Sequence, residues 1–116
     1  MSKITIYNKL VRDNIPVIIK SNGGKPKYRY LENDEEFKKA LKVKLVEEID
    51  ELLNAKTEVD AIEELGDIWT VLLWLDIMYE DAISMALDEK INNNGNFSDR
   101  IFLESVEFEE DVCDES

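Results

Sequence analysis

The chain has 116 residues, 44% of them hydrophobic, which suits one small domain with a modest core. It contains no histidine and a single cysteine, Cys113, which excludes Ser–His and Cys–His nucleophilic machinery, histidine-based zinc sites and any intramolecular disulfide. A net charge of −13, from 27 acids against 14 bases, argues against nucleic acid or an anionic membrane as the main partner.

Met1 to Leu10 holds no apolar run of signal-peptide length, and Ile4 to Tyr7 is too short to assign to a helix or strand. Asp13 to Ser21 reads as a short helix, with Pro16 tolerated in its first turn and Asn22-Gly23-Gly24 ending it. Lys25 to Leu31 is an irregular connector whose Tyr28, Tyr30 and Leu31 are available to pack. A long helix is predicted from Asn33, an N-cap that Glu36 completes as a capping box, to about Asn54-Ala55. Along it Phe37, Ala40, Leu41, Lys44, Leu45, Glu48, Ile49 and Leu52 recur at helical spacing, so Glu48 shares a side with apolar residues.

Thr57-Glu58-Val59-Asp60 caps a second long helix, in which Ile62, Leu65, Ile68, Trp69, Leu72, Leu73, Leu75 and Met78 form a wide apolar surface. From Ile68 to Met78 it is apolar nearly all round, yet shorter than the roughly 20 residues that span a bilayer. Such a helix must be covered on more than one side, and oligomerisation is the economical way to do so. Trp69 and Trp74 are read as core or interface residues rather than as base-stacking platforms. A break at Tyr79-Glu80 precedes a third helix, about Asp81 to Asn92, which Asn92 to Asn96 closes with turn-forming residues; Asn93 and Asn94 are read as caps rather than as contacts to a base edge. Ile101 to Phe108 is a candidate short ordered piece. From Glu104 onward there are seven acids and no base, so residues 1–103 are read as the folded domain and 104–116 as a mobile, solvated tail. A soluble, cytoplasmic, all-α helical bundle is expected.

The chemistry-bearing pattern is a pair of acid pairs. Glu48-x-x-Glu51 and Glu64-x-x-Asp67 each place two carboxylates on one helix face, with Cβ atoms roughly 5–6 Å apart. Glu47 adds a fifth acid. An antiparallel hairpin through the short connection Asn54 to Lys56 would bring both pairs to nearby levels, where their mutual repulsion calls for a divalent cation. Hard Mg²⁺, or Mn²⁺ in its place, is the natural match for an all-oxygen site. Nucleoside triphosphates suit such a site, because the metal bridges phosphate oxygens and needs no covalent nucleophile from the protein. Glu47 is the candidate to orient or deprotonate the attacking water. Against this stands the plain alternative of a solvated acidic helix face.

Glu47-Glu48-Ile49-Asp50-Glu51, a twelve-residue spacer and Glu64-Leu65-Gly66-Asp67 together resemble the EExxE…ExxD pattern of the all-α NTP pyrophosphohydrolases, the superfamily of MazG, dimeric dUTPases and phosphoribosyl-ATP pyrophosphohydrolase. Tyr7 to Pro16 is similar to the YNKLVRDKIP opening of a MazG-like subgroup labelled phosphoribosyl-ATP pyrophosphohydrolase-like, with Asn14 in place of a lysine. Lys90 through Asn94-Gly95-Asn96-Phe97 to Arg100-Ile101 is similar to that subgroup's Lys…RGGF…R-I ending; Asn94 stands where an arginine is common and Asn96 replaces the second glycine. The matches run from about Tyr7 to Leu103. The resemblance implies that Glu48, Glu51, Glu64 and Asp67 bind Mg²⁺, in a dimer or tetramer that converts a nucleotide to its monophosphate and pyrophosphate. Nucleotide-pool cleansing is the expected use, with the phosphoribosyl-ATP reaction of histidine biosynthesis, or a non-catalytic nucleotide-binding module, as alternatives. Arg12, Lys90, Lys9, Lys44 and Arg100 are candidates to meet phosphate, because carboxylates and a metal alone hold a polyphosphate poorly. Arg12 could instead pair with Asp13, and Lys90 with Asp88 or Glu89.

Overall fold

Short polar side chains start the two long helices. Asn33 Oδ1 accepts the Glu36 N–H at 3.0 Å, and Thr57 Oγ1 accepts the Asp60 N–H at 3.0 Å, each satisfying a donor the first helical turn leaves over. In the computed structural model, which describes residues 2–109, these caps open α2 (Asp34–Leu53) and α3 (Glu58–Met78). The first cap differs from expectation in one respect. The Glu36 carboxylate does not return to Asn33 to close the capping box; it engages the Arg29 guanidinium, whose charge is the stronger attraction.

Two further helices complete the described chain: α1 (Ile15–Ser21), with Pro16 in its first turn, and α4 (Ala82–Asn94). Among the described residues there is no strand, so the fold is all-α. α1 ends as its glycines dictate: Gly23, at φ 89, donates to the Lys20 carbonyl and Gly24 to that of Ile19. α4 runs two residues past the predicted end, taking Asn93 and Asn94 into the helix. The chain leaves it at Gly95, which adopts φ 83 and donates back to Ile91. Ile101 to Phe108 forms neither helix nor strand, and Phe102 is 86% exposed. Residues 110–116, with Cys113 and most of the acidic tail, lie outside the described residues.

The chain divides into two units, Met1–Ser84 and Met85–Ser116. In the first, α2 and α3 pack against each other across the short connection Asn54 to Thr57, forming a helical hairpin. Its seam is readable residue by residue. On α2, Phe37, Leu41, Leu45, Glu48 and Leu52 recur in steps of three and four; on α3, Ala61, Glu64, Ile68, Val71, Leu75 and Met78 do the same, and all of these are buried or half-buried. Leu41, Val71 and Leu75 form the buried core, with Leu10, Phe37, Leu45 and Met78 packed around it. Phe37 meets Trp74 edge-on, with ring centroids 6.1 Å apart. The opposite face of α3 is uncovered: Ile62, Leu65, Leu73 and Ile77 are exposed, and Trp69 is 70% exposed. Tyr28 and Tyr30, available to pack, meet each other edge-on at the surface. No helix among the described residues is long and apolar enough to cross a membrane.

Candidate functional site

The hairpin seam is apolar except at one level, where Glu48 of α2 meets Glu64 of α3. Helical spacing puts Glu48 there, between Leu45 and Leu52, and the packing of α3 buries it to 4% exposure. Lys44, one turn earlier, reaches Glu48 Oε1 at 3.2 Å. Glu48 Oε2 and Glu64 Oε2 are both shielded from solvent without a hydrogen-bond partner. These two oxygens lose their hydration and receive no hydrogen bond in return, so a proton or a further cation is called for.

Glu64 shows the strain directly. Its pKa is raised to about 7, first by a hydrogen bond with Glu48 that only a protonated carboxyl can donate, then by burial and by the neighbouring Glu51. One carboxylate oxygen from each of Glu48, Glu51 and Glu64 lies within 4.8 Å of the other two. Oxygens on opposite sides of Mg²⁺ stand about 4.2 Å apart, and larger divalent ions tolerate more, so small side-chain adjustments would let this trio share one ion. The residues present therefore fit a hard divalent cation.

Cations border the cluster on the same hairpin level. Arg12 Nη2 donates to Asp67 Oδ1 at 2.7 Å, and it meets Asp67 rather than its sequence neighbour Asp13. Glu47 Oε1 accepts from Lys9 at 3.3 Å and from Lys44 at 3.4 Å. Burial alone would raise the Glu47 pKa, but the Lys44 charge and the Lys9 hydrogen bond outweigh it and hold Glu47 below the usual carboxylate range. Burial likewise pulls Lys44 down, and its bond to Glu48 with the charges of Glu47 and Glu48 leaves it raised on balance. Lys9 also sits over the Tyr7 ring, 5.5 Å from its centroid.

All five acids, with Lys9, Arg12 and Lys44, thus belong to the first unit; Lys9, Lys44, Glu47, Glu48, Glu51 and Glu64 form one connected group, and the Arg12–Asp67 pair stands beside it, one helical turn on from Glu64. Glu47 and Asp67 are held by cations, while Glu48, Glu51 and Glu64 face one another. Leu10, packed against the core, fixes the segment that carries Lys9 and Arg12 to the hairpin, and Asn8 enters it at φ 46, a conformation asparagine tolerates. Lys90 and Arg100 belong to the second unit, where Lys90 lines a shallow hollow with Glu89, Asn93 and Asn94. Sequence reasoning missed Thr70, whose hydroxyl accepts from Arg12 at 3.1 Å. The signal is its place three residues after Asp67, as the one polar side chain between Ile68 and Leu75. Asp76 Oδ1 is also shielded without a partner, but it lies twelve residues beyond Glu64, about 18 Å along the helix.

No protein-family model, curated protein or solved structure matches this chain.

Proposed function

We propose that this chain is a Mg²⁺-dependent nucleotide pyrophosphohydrolase of the MazG-like all-α type, cleaving a nucleoside triphosphate or related nucleotide to its monophosphate and pyrophosphate. The observation that carries the reading is Glu48: a carboxylate 96% buried in an apolar seam, with one oxygen unpartnered and two further carboxylates converging on it. Charge supports it as well. Once Glu64 is ionised, five carboxylates against Lys9, Arg12 and Lys44 leave two negative charges, the complement of one divalent ion.

Glu48, Glu51 and Glu64 would hold the metal, with Asp67 completing the set. Bound Mg²⁺ supplies Lewis-acid polarisation of the phosphate oxygens and offsets charge developing there. Glu47 orients water for attack at the α-phosphorus. Its depressed pKa suits an acceptor that aligns the water more than one that strips its proton. Lys9 and Lys44 fix Glu47 in place. Arg12, 56% exposed at the edge of the cluster, presents donors to the phosphates that leave. The bond between the α- and β-phosphates breaks, and pyrophosphate departs.

The uncovered apolar face of α3 supports a homo-oligomer, dimer or tetramer, built through that helix. The reading is tested by pyrophosphate release from a panel of canonical and modified nucleoside triphosphates plus phosphoribosyl-ATP, with Mg²⁺, Mn²⁺ or EDTA. Metal-dependent release, absent in Glu48→Gln, is expected, and the panel ranks the substrates. A folded, metal-binding protein that releases none would instead be a nucleotide-binding module.

A further inference from the structure

Arg12 makes two hydrogen bonds from one nitrogen. Nη2 donates to Asp67 Oδ1 at 2.7 Å and to Thr70 Oγ1 at 3.1 Å. Thr70 in turn donates its hydroxyl proton to the Gly66 carbonyl at 2.9 Å. That bond commits the only proton the hydroxyl has, so toward Arg12 it can act solely as an acceptor. Asp67 and Thr70 stand three residues apart on α3, neighbours on one helix face. The guanidinium carries five N–H donors, and among the described residues only Nη2 is engaged.

The two acceptors are not equivalent. Asp67 is a carboxylate beside the cluster and a ligand on the reading proposed above; Thr70 is neutral, back-bonded to its own helix and a poor competitor for a hard cation. We infer that Thr70 is a positioning residue, holding the Arg12 guanidinium beside the carboxylates once Asp67 turns to a divalent cation and leaving the remaining donors of Arg12 to a diphosphate group. In the metal-free protein Arg12 neutralises Asp67. With metal present, the neutral anchor keeps the arginine from swinging into solvent, and its fork is left to meet paired phosphate oxygens. This inference rests on the metal-site reading.

The test is calorimetric, on the full chain: Mn²⁺ is titrated first, then inorganic pyrophosphate into the Mn²⁺-loaded protein. Arg12→Gln should bind Mn²⁺ about threefold more tightly, because Asp67 no longer has a competing partner. Thr70→Val should leave Mn²⁺ affinity unchanged. Pyrophosphate binding should weaken about tenfold in Arg12→Gln and about threefold in Thr70→Val. The double variant should be no weaker than Arg12→Gln alone, since the hydroxyl acts only through the arginine. Thr70→Ser, which keeps the hydroxyl, should restore binding. Equal weakening by Thr70→Val with and without Arg12 would overturn the inference, as would wild-type pyrophosphate affinity in Thr70→Val. Those two results leave the metal-site reading standing if Mn²⁺ binding still requires Glu48. A wild-type protein that binds no Mn²⁺ would remove both.

Discussion

Glu64 is the residue whose chemistry is most sensitive to its surroundings. Its pKa of about 7 in the folded protein lies above the ordinary value of 4.5, so between those limits the folded state holds a proton that the unfolded chain has released. Stability then falls as pH rises from about 4.5 to 7, because the proton shared with Glu48 is lost and two carboxylates face each other. Thermal melts in EDTA should show this decline in the wild type, and Glu64→Gln should reduce it, gaining most at pH 8. An identical pH profile for the two proteins would contradict the account. Added Mg²⁺ or Mn²⁺ should raise the wild-type melting temperature most at the alkaline end, where Glu64 is already ionised and no proton need be displaced.

Helix ends and helix faces account for how the cluster comes to exist. Asn33 and Thr57 cap α2 and α3 with their own side chains, and these starts are legible in the sequence because a cap involves residues only three apart. The inward position of Glu48 is legible for the same reason: the apolar residues that flank it set the helix face. Which side of α3 turns inward is not legible, because Ile68 to Met78 is apolar all round. Val71 and Leu75 are buried, while Trp69 and Leu73, equally apolar, are exposed. The Arg12–Asp67 pair is also hidden, since 55 residues separate its members and Asp13 lies next door. The C-terminus of α3 holds a further consequence. Glu80 occupies the left-handed region at φ 55, donating to Ile77 while Asp81 donates to Asp76, a geometry that glycine adopts without cost. Glu80→Gly should therefore stabilise the protein by about 1 kcal/mol in urea denaturation. Destabilisation would show that the Glu80 side chain supplies something the backbone geometry does not.

At the scale of the whole molecule, the hairpin leaves one long apolar face of α3 uncovered. Ile62, Leu65, Trp69, Leu73 and Ile77 recur along the outer face of α3, whereas the buried apolar core of the described residues is Leu41, Val71 and Leu75. Sedimentation should show a dimer or tetramer for the wild type and a monomer for Trp69→Glu combined with Leu73→Glu. A monomeric wild type would leave that face without a function in assembly. The second unit, with Lys90 and Arg100, would then gain weight as the place where further phosphate contacts are sought, by charge-reversal of each and measurement of KM. The central claim, however, is that Glu48, buried with one oxygen unpartnered, is a metal ligand, and Mn²⁺ binding followed by electron paramagnetic resonance tests it most directly. The account predicts that free Mn²⁺ signal is quenched on adding wild-type protein and is not quenched by Glu48→Gln, which remains folded. Equal binding by the two proteins would contradict it.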